Sequence, residues 1–380
     1  MLARILISGI FVGSNFLASF IVILIIVNSN SLELQSEFFL FQSLFFPLIT
    51  AVAQLNILRN YRTGENGNSF RIDLTIILIF SVLFLLLRGD GNVVSTLFYA
   101  LSVPLSVRAS VMQAEAQFII QRAYVITIPI IAAVVRVAFV YLLKDDLEPS
   151  RLFFINAFSL VVLVWVAYTF LKKNLRDIPV LKKAKDSFNP TFMFAFIMIS
   201  SLFFQWDRYI FSLADQKTLI VQSGIYITLV LPPISMLFAM IFRGNATQIF
   251  RGQGGKNRTR MILMSGTLFA IPAIIYAVLL GLLWGYVPLL FPDATGMSPY
   301  PAIIMIIALI LERLGNLIVY SREGQTHLAG ATVVKLLCLL VAVLSTMLLF
   351  TRNVEVMYHH YMIASLVFFM VCFLVSWNSK

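Results

Sequence analysis

The sequence predicts an all-α polytopic membrane protein with about 12 transmembrane helices, in two six-helix bundles related by a pseudo-twofold axis along the membrane normal. Three observations lead to this prediction: the composition, a series of long apolar runs, and two similar basic segments half a chain apart. Of the 380 residues, 60% are hydrophobic and only 12% are charged, and the mean hydropathy is +0.93. A soluble domain lacks the polar residues to cover such an interior, so soluble and disordered classes are excluded.

The apolar runs give the positions of the predicted helices. A helix that crosses a bilayer needs roughly 20 mostly apolar residues. Twelve stretches are candidates: 5–27, 38–57, 72–88, 93–107, 120–143, 152–171, 191–212, 219–242, 262–284, 298–320, 328–350 and 357–377. The fourth is the shortest, bounded by Pro104 and Arg108. The first is too long for a signal peptide and lacks a cleavage site, so we expect it to remain as a helix.

The distribution of Lys and Arg predicts that both termini face the cytoplasm. With the N-terminus inside, 19 of the 28 basic residues fall in cytoplasmic segments, five in outer loops and four within spans. An excess of basic residues marks the cytoplasmic side of membrane proteins. The net charge of +11 is therefore interpreted as a topology signal, and no nucleic-acid partner is expected. All predicted outer loops are short, the longest near 285–297, so we expect any site to lie in the bundles or at their rims.

An internal repeat is predicted from two similar segments, each of which follows a span that contains proline. They are Arg62-Thr-Gly-Glu-Asn-Gly-Asn68 and Arg251-Gly-Gln-Gly-Gly-Lys-Asn257, at an offset of 189 residues. The longest basic loop, 172–190, lies between the copies. We therefore predict an N-terminal lobe at 1–180, a cytoplasmic linker at 181–190 and a C-terminal lobe at 191–380. Because six helices per copy is an even number, the copies would share one orientation in the membrane.

Ionisable residues inside the spans are the candidate functional residues. Six charged residues lie more than three residues from either end of a predicted span: Arg136, Asp207, Arg208, Glu312, Arg313 and Lys335. Each costs roughly 2.5–3.5 kcal/mol at a helix centre unless it is paired or hydrated. Four cations against two acids favour an anionic substrate, because arginine pairs well with phosphate. We predict that the four cations bind substrate and that Asp207 and Glu312 carry a coupling proton or sodium ion. The alternative is that these side chains snorkel to the interface or pair structurally.

No motif for catalysis, a metal or a cofactor is found. Cys338 and Cys372 lie in apolar runs and form no ligand spacing with the three His residues. The Gly252–Lys256 segment departs from a phosphate-binding loop at Phe250 and Asn257. No nucleophile–base set has a recognisable spacing. We therefore expect a protein that is not an enzyme and needs no cofactor.

One stretch carries a family resemblance. Gln205-Trp-Asp-Arg-Tyr-Ile-Phe-Ser212, followed by Gly224-Ile-Tyr226, is similar to the seventh and eighth helices of bacterial polysaccharide flippases. Those proteins belong to the multidrug/oligosaccharidyl-lipid/polysaccharide exporter superfamily, which the predicted spans and repeat also resemble. Asp207 and Arg208 occupy positions of this motif.

The resemblance implies a flippase of the bacterial inner membrane. Such proteins move undecaprenyl-diphosphate-linked sugar units from the inner to the outer leaflet for O-antigen (lipopolysaccharide), capsule or exopolysaccharide assembly. The implied mechanism is alternating access of two lobes around a central cavity. The implied partners are the lipid-linked oligosaccharide, membrane lipids, a coupling ion and a polysaccharide polymerase.

Two other functions stay open from the sequence. The first is an ion-coupled small-molecule exporter of the same superfamily, for which a cavity rich in acids is expected. The second is a membrane enzyme, such as a polysaccharide polymerase or a glycosyl- or acyltransferase. A polymerase would favour a longer outer loop than any predicted for this chain.

Overall fold

The computed structural model describes most of the chain as helices. The described residues are 2–63, 94–95, 97–106, 127–146, 148–174, 190–251, 255–321, 325–349 and 354–378, and they contain no strand. By its internal contacts the chain divides into two compact units. One unit holds residues 10–186, and the other, called the C-terminal unit below, holds residues 187–380 together with 1–9.

In the part of the chain before residue 187 that the structure describes, there are five helices. They are α1 (Leu2–Ser29), α2 (Leu32–Thr63), α3 (97–106), α4 (Thr127–Leu143) and α5 (Pro149–Asn174). Within the unit of residues 10–186, α5 packs against both α4 and α2. Aromatic side chains fill this packing: the Phe41 ring stacks on Tyr99 at 4.0 Å between centroids and meets Phe153 edge-on at 5.2 Å. Such pairs add to the stabilisation that apolar burial gives.

The C-terminal unit is described almost completely. Its helices are α6 (Pro190–Leu202), α7 (Asp207–Leu213), α8 (Lys217–Arg251), α9 (Gly255–Leu282), α10 (Val287–Leu290), α11 (Tyr300–Ser321), α12 (Gln325–Leu349) and α13 (Val354–Asn378). Helix α11 lies at the centre and packs against α8, α9 and, most extensively, α13. Small side chains permit this close packing, because Ala302 and Ala308 on α11 are fully buried.

The predicted spans agree with the helices of the described residues, with one correction. The seventh span, predicted as one helix over 191–212, is interrupted by turns at 203–206 and forms α6 and α7. The span 72–88, the linker residues 181–189 and most of the two segments that predicted the repeat lie outside the described residues.

Five helices of the described residues are long and apolar enough to cross a membrane. They contain the segments Lys217–Phe238, Ile262–Leu282, Tyr300–Val319, Leu328–Met347 and Tyr358–Val375. Apolar side chains such as Leu282 and Val341 lie mostly exposed, whereas Glu312 and Lys335 are fully buried. Water would favour the reverse arrangement, because exposed apolar area costs about 25 cal/mol per Å² and buried charge costs more. The distribution is that of a polytopic membrane protein.

Candidate functional site

A buried polar cluster surrounds the ammonium group of Lys335 in the C-terminal unit. The ammonium donates to Asn316 Oδ1 at 2.7 Å, to Ser200 Oγ at 2.5 Å and to Glu312 Oε1. Because an ammonium carries three N–H donors, the three oxygens match its donor capacity. The ring centroids of Phe196 and Phe368 each lie 4.6 Å from the same nitrogen. Lys335 is therefore surrounded by oxygens and by the faces of two aromatic rings.

The three oxygens come from two helices, and Lys335 comes from a third. Glu312 and Asn316 lie one turn apart on α11, so they share a face, and the Asn316 amide donates to Glu312 Oε1 at 2.7 Å. Ser200 comes from α6 and Lys335 from α12, and these two helices pack against each other. The cluster consequently ties α6, α11 and α12 together inside an apolar bundle.

Arg313 lies beside this cluster and contacts the same carboxylate. Its Nε atom is 3.5 Å from Glu312 Oε2, and its Nη2 atom donates to Ser235 Oγ on α8 at 3.3 Å. The guanidinium also lies 5.6 Å from the centroid of the Phe238 ring. Two cations thus share one carboxylate, and the group of Glu312, Arg313 and Lys335 has a formal excess of one positive charge.

The second buried pair, Asp207 and Arg208, begins α7. The Ser223 hydroxyl on α8 donates to Asp207 Oδ2, and Arg208 Nη2 donates to Gln205 Oε1 at 3.2 Å. Both charged side chains are almost fully buried. The interruption before α7 matters here, because Gln205 lies in the turn and its side chain accepts from Arg208.

Aromatic side chains adjoin the interruption and α7. The Tyr361 ring lies 5.3 Å from Trp206 and 5.4 Å from Tyr358, measured between centroids. Tyr358 in turn meets Tyr226 edge-on at 5.7 Å, and the Tyr226 hydroxyl donates to the Ser298 carbonyl at 2.8 Å. These rings belong to α8, α13 and the turn, so they connect the Asp207 region to the rest of the unit.

Arg136 lies in the other unit. It is 1% exposed on α4, and its Nη2 atom donates to Ser19 Oγ on α1 at 3.0 Å. Of the six predicted residues, the structure therefore brings Glu312, Arg313 and Lys335 into one cluster and Asp207 and Arg208 into another. Their assignment to substrate binding or ion coupling stays a prediction.

Sequence reasoning missed the uncharged members of both clusters. Asn316 carried a usable signal, since a polar residue one turn after an acid in an apolar span predicts a hydrogen-bonded pair. Ser200, Ser223 and Ser235 carried none, because serine is common in membrane helices and satisfies itself within the helix. In the described residues, no group of three or more His, Cys, Asp or Glu could hold a metal ion.

Comparison with known proteins gives the class of fold. No protein-family profile matches the chain, and no curated protein matches it. Solved structures do match the chain. One is a crystal structure of MATE in a bent conformation, with 13% sequence identity, a TM-score of 0.57, and coverage of 99% of this chain and 94% of that chain. A MOP superfamily transporter from Pyrococcus furiosus matches at 10% identity over 99% and 94%, with a TM-score of 0.56.

A variant of the Vibrio cholerae MATE transporter VcmN matches at 11% identity over 100% and 95%, with a TM-score of 0.50. The chain thus has the two-lobe helical fold of MOP superfamily transporters, and the predicted fold class is confirmed. The likeness shows only the fold of the superfamily. Membership of the polysaccharide flippase family within it stays a prediction.

Proposed function

We propose that this chain is a flippase that moves undecaprenyl-diphosphate-linked oligosaccharides from the inner to the outer leaflet, without making or breaking covalent bonds. One observation supports the proposal above the others: among the described residues, buried cations outnumber buried acids within a transporter fold. The residues concerned are Arg136, Arg208, Arg313 and Lys335 against Asp207 and Glu312.

The excess of cations favours an anionic substrate. Arg313 and Lys335 share the single carboxylate of Glu312, so one positive charge there is formally uncompensated. A diphosphate offers oxygens that a guanidinium binds in bidentate geometry, and a poorly hydrated site strengthens that attraction. The Pyrococcus furiosus relative is described as having a binding pocket of reverse polarity that suggests a different function. Pocket polarity can therefore differ between proteins of this fold, so the fold leaves room for an anionic substrate in this chain.

Alternating access is the proposed mechanism. The lobes, at 1–180 and 191–380 with a linker at 181–190, would expose a central cavity to each side of the membrane in turn. Asp207 and Glu312 are the proposed carriers of a coupling proton or sodium ion, because both carboxylates are buried and both belong to spans predicted from the sequence. The proposed location is the bacterial inner membrane, with both termini cytoplasmic and a polysaccharide polymerase as a candidate partner.

An ion-coupled small-molecule exporter is the second candidate. The MATE structures support it by fold, and the buried carboxylate of Asp207 provides a group that could exchange an ion. A polysaccharide polymerase is less well supported, since the three structures reported above are all transporters.

The proposal is tested in cells that lack this gene and retain the polymerase. Lipid-linked sugars are extracted, and the membrane face that holds them is determined. We expect single repeat units on the inner face, no surface polymer, and recovery on complementation with the wild-type gene. Single units on the outer face would indicate a polymerase, and unchanged polysaccharide would favour the small-molecule exporter.

A further inference from the structure

We infer that the oxygens of Ser200, Glu312 and Asn316 form a site for a monovalent cation, and that the ammonium of Lys335 is its built-in occupant. This site lies in the C-terminal unit, and its occupancy does not depend on whether the chain is a flippase.

The three oxygens are those of a cation site. A carboxylate, an amide carbonyl and a hydroxyl converge on the Lys335 nitrogen, with the hydroxyl and the carbonyl at 2.5 and 2.7 Å. Oxygens of these kinds are the ligands that hard cations take in proteins. The rings of Phe196 and Phe368 flank the position at 4.6 Å, and aromatic faces also attract cations.

The site is enclosed on the protein side. Ser200 is 2% exposed, and Glu312, Asn316 and Lys335 are each 0% exposed. A dissolved cation would lose its water shell here and gain three protein oxygens. An ammonium tethered to α12 makes the same exchange without the entropy cost of association. While Lys335 remains in place, Glu312 is neutralised and a dissolved ion has no room. The coupling role proposed above for Glu312 therefore requires a state in which the Lys335 ammonium has left these oxygens.

Arg313 could take the place of a dissolved cation, because it also contacts Glu312. Its Nε atom lies 3.5 Å from the other carboxylate oxygen of Glu312, so it could neutralise Glu312 if Lys335 were removed. In the structure its Nη2 atom is engaged by Ser235 at 3.3 Å, and its guanidinium lies over Phe238. Only a variant that lacks the Lys335 ammonium separates the two explanations.

The test is a thermal unfolding experiment on the purified full-length protein. Wild type and Lys335→Ala are compared in sodium chloride and in choline chloride at equal ionic strength. We expect Lys335→Ala to unfold at a lower temperature in choline chloride, because Glu312 has lost the nearer of its two cationic partners. Sodium is expected to restore it saturably by roughly 2–4 °C or more, beyond any sodium effect that the wild type shows.

Two matched variants complete the design. Adding Glu312→Gln to Lys335→Ala removes the charged ligand and should abolish the sodium response. Lys335→Met fills the volume with an apolar chain, so it should unfold at the same temperature in both salts.

A Lys335→Ala protein that sodium does not stabilise would overturn the inference, and so would a response that persists in the double variant. Aggregation of Lys335→Ala in both salts, while the double variant folds, would also overturn it, because the site would then accept no dissolved cation. A sodium effect on the wild type that Glu312→Gln alone removes would contradict it as well. No substrate enters the experiment, so its result is independent of the flippase proposal.

Discussion

At the scale of single residues, the structure explains how charges lie inside an apolar bundle. Glu312 contacts Lys335 and Arg313, Asp207 accepts from Ser223, and Arg136 donates to Ser19. A buried charge without such contacts would cost several kcal/mol. The partners could not be deduced from the sequence, because the pairing depends on how helices pack: Lys335 and Ser200 are 135 residues apart along the chain.

The first residue-scale prediction concerns the arginines. Arg136→Ala and Arg313→Ala are each expected to abolish transport without loss of membrane insertion, because the proposed phosphate-binding guanidinium is removed. Surface polysaccharide measures transport, and the amount of protein in isolated membranes measures insertion. Arg→Lys at either position keeps the charge but not the bidentate geometry, so partial loss is expected.

Ser19→Ala is the matched control for Arg136. It removes only the hydroxyl that accepts from Arg136, at a cost of about 1 kcal/mol. We expect this variant to make polysaccharide at close to the wild-type level. Normal polysaccharide from both alanine variants of the arginines would remove the idea of a cationic substrate site.

At the scale of helices, an apolar run predicts that a helix is present better than it predicts whether that helix is unbroken. The predicted span 298–320 became α11 at Tyr300–Ser321. The seventh span was wrong as one helix, because residues 203–206 are mostly apolar and contain neither Gly nor Pro, the residues that ordinarily signal a break. Helix α8 continues to Arg251, beyond the predicted end at 242, since hydropathy reports the apolar part of a helix and not its full length.

The second prediction tests the packing of α11 on α13. A Cβ atom at Gly315 would lie 2.6 Å from the Phe368 ring, so Gly315→Ala requires the ring or the helices to move. We expect a cost of roughly 1–3 kcal/mol, as for other overpacked cores. The melting temperature of the purified protein measures it.

Gly330→Ala on α12 is the control, because no atom lies within 4 Å of its added Cβ. There the substitution is expected to be stabilising by about 0.5–1 kcal/mol, since alanine loses less backbone entropy than glycine in a helix. Equal melting temperatures for the two variants would contradict the described packing.

At the scale of the whole molecule, the chain shares a fold with structures at 10–13% identity. Such divergence is physically reasonable, because a bilayer requires only that helices be apolar outside and satisfy their own backbone groups. The same tolerance limits prediction. Composition and spacing predicted the helices and an orientation, and the charges in the spans favoured an anionic substrate. The identity of that substrate depends on a few side chains and cannot be deduced in this way.

The third prediction concerns topology. A cysteine at Asp293, in the connection between α9 and α11, should react with a membrane-impermeant thiol reagent added to intact cells. A cysteine at Lys182 should react only after the membrane is permeabilised. The unchanged protein is the control for background, because Cys338 and Cys372 are buried. Labelling of Lys182→Cys in intact cells would reverse the predicted orientation.

The proposed activity is the movement of a lipid-linked oligosaccharide across a bilayer. The most direct measurement reconstitutes the purified protein in vesicles that contain undecaprenyl-diphosphate oligosaccharide, and follows how much of it an impermeant glycan-cleaving enzyme can reach. We expect the accessible fraction to rise beyond the outer leaflet's share with the wild-type protein and not with Arg313→Ala. An accessible fraction equal to that of protein-free vesicles, from a protein that is folded and inserted, would contradict the claim.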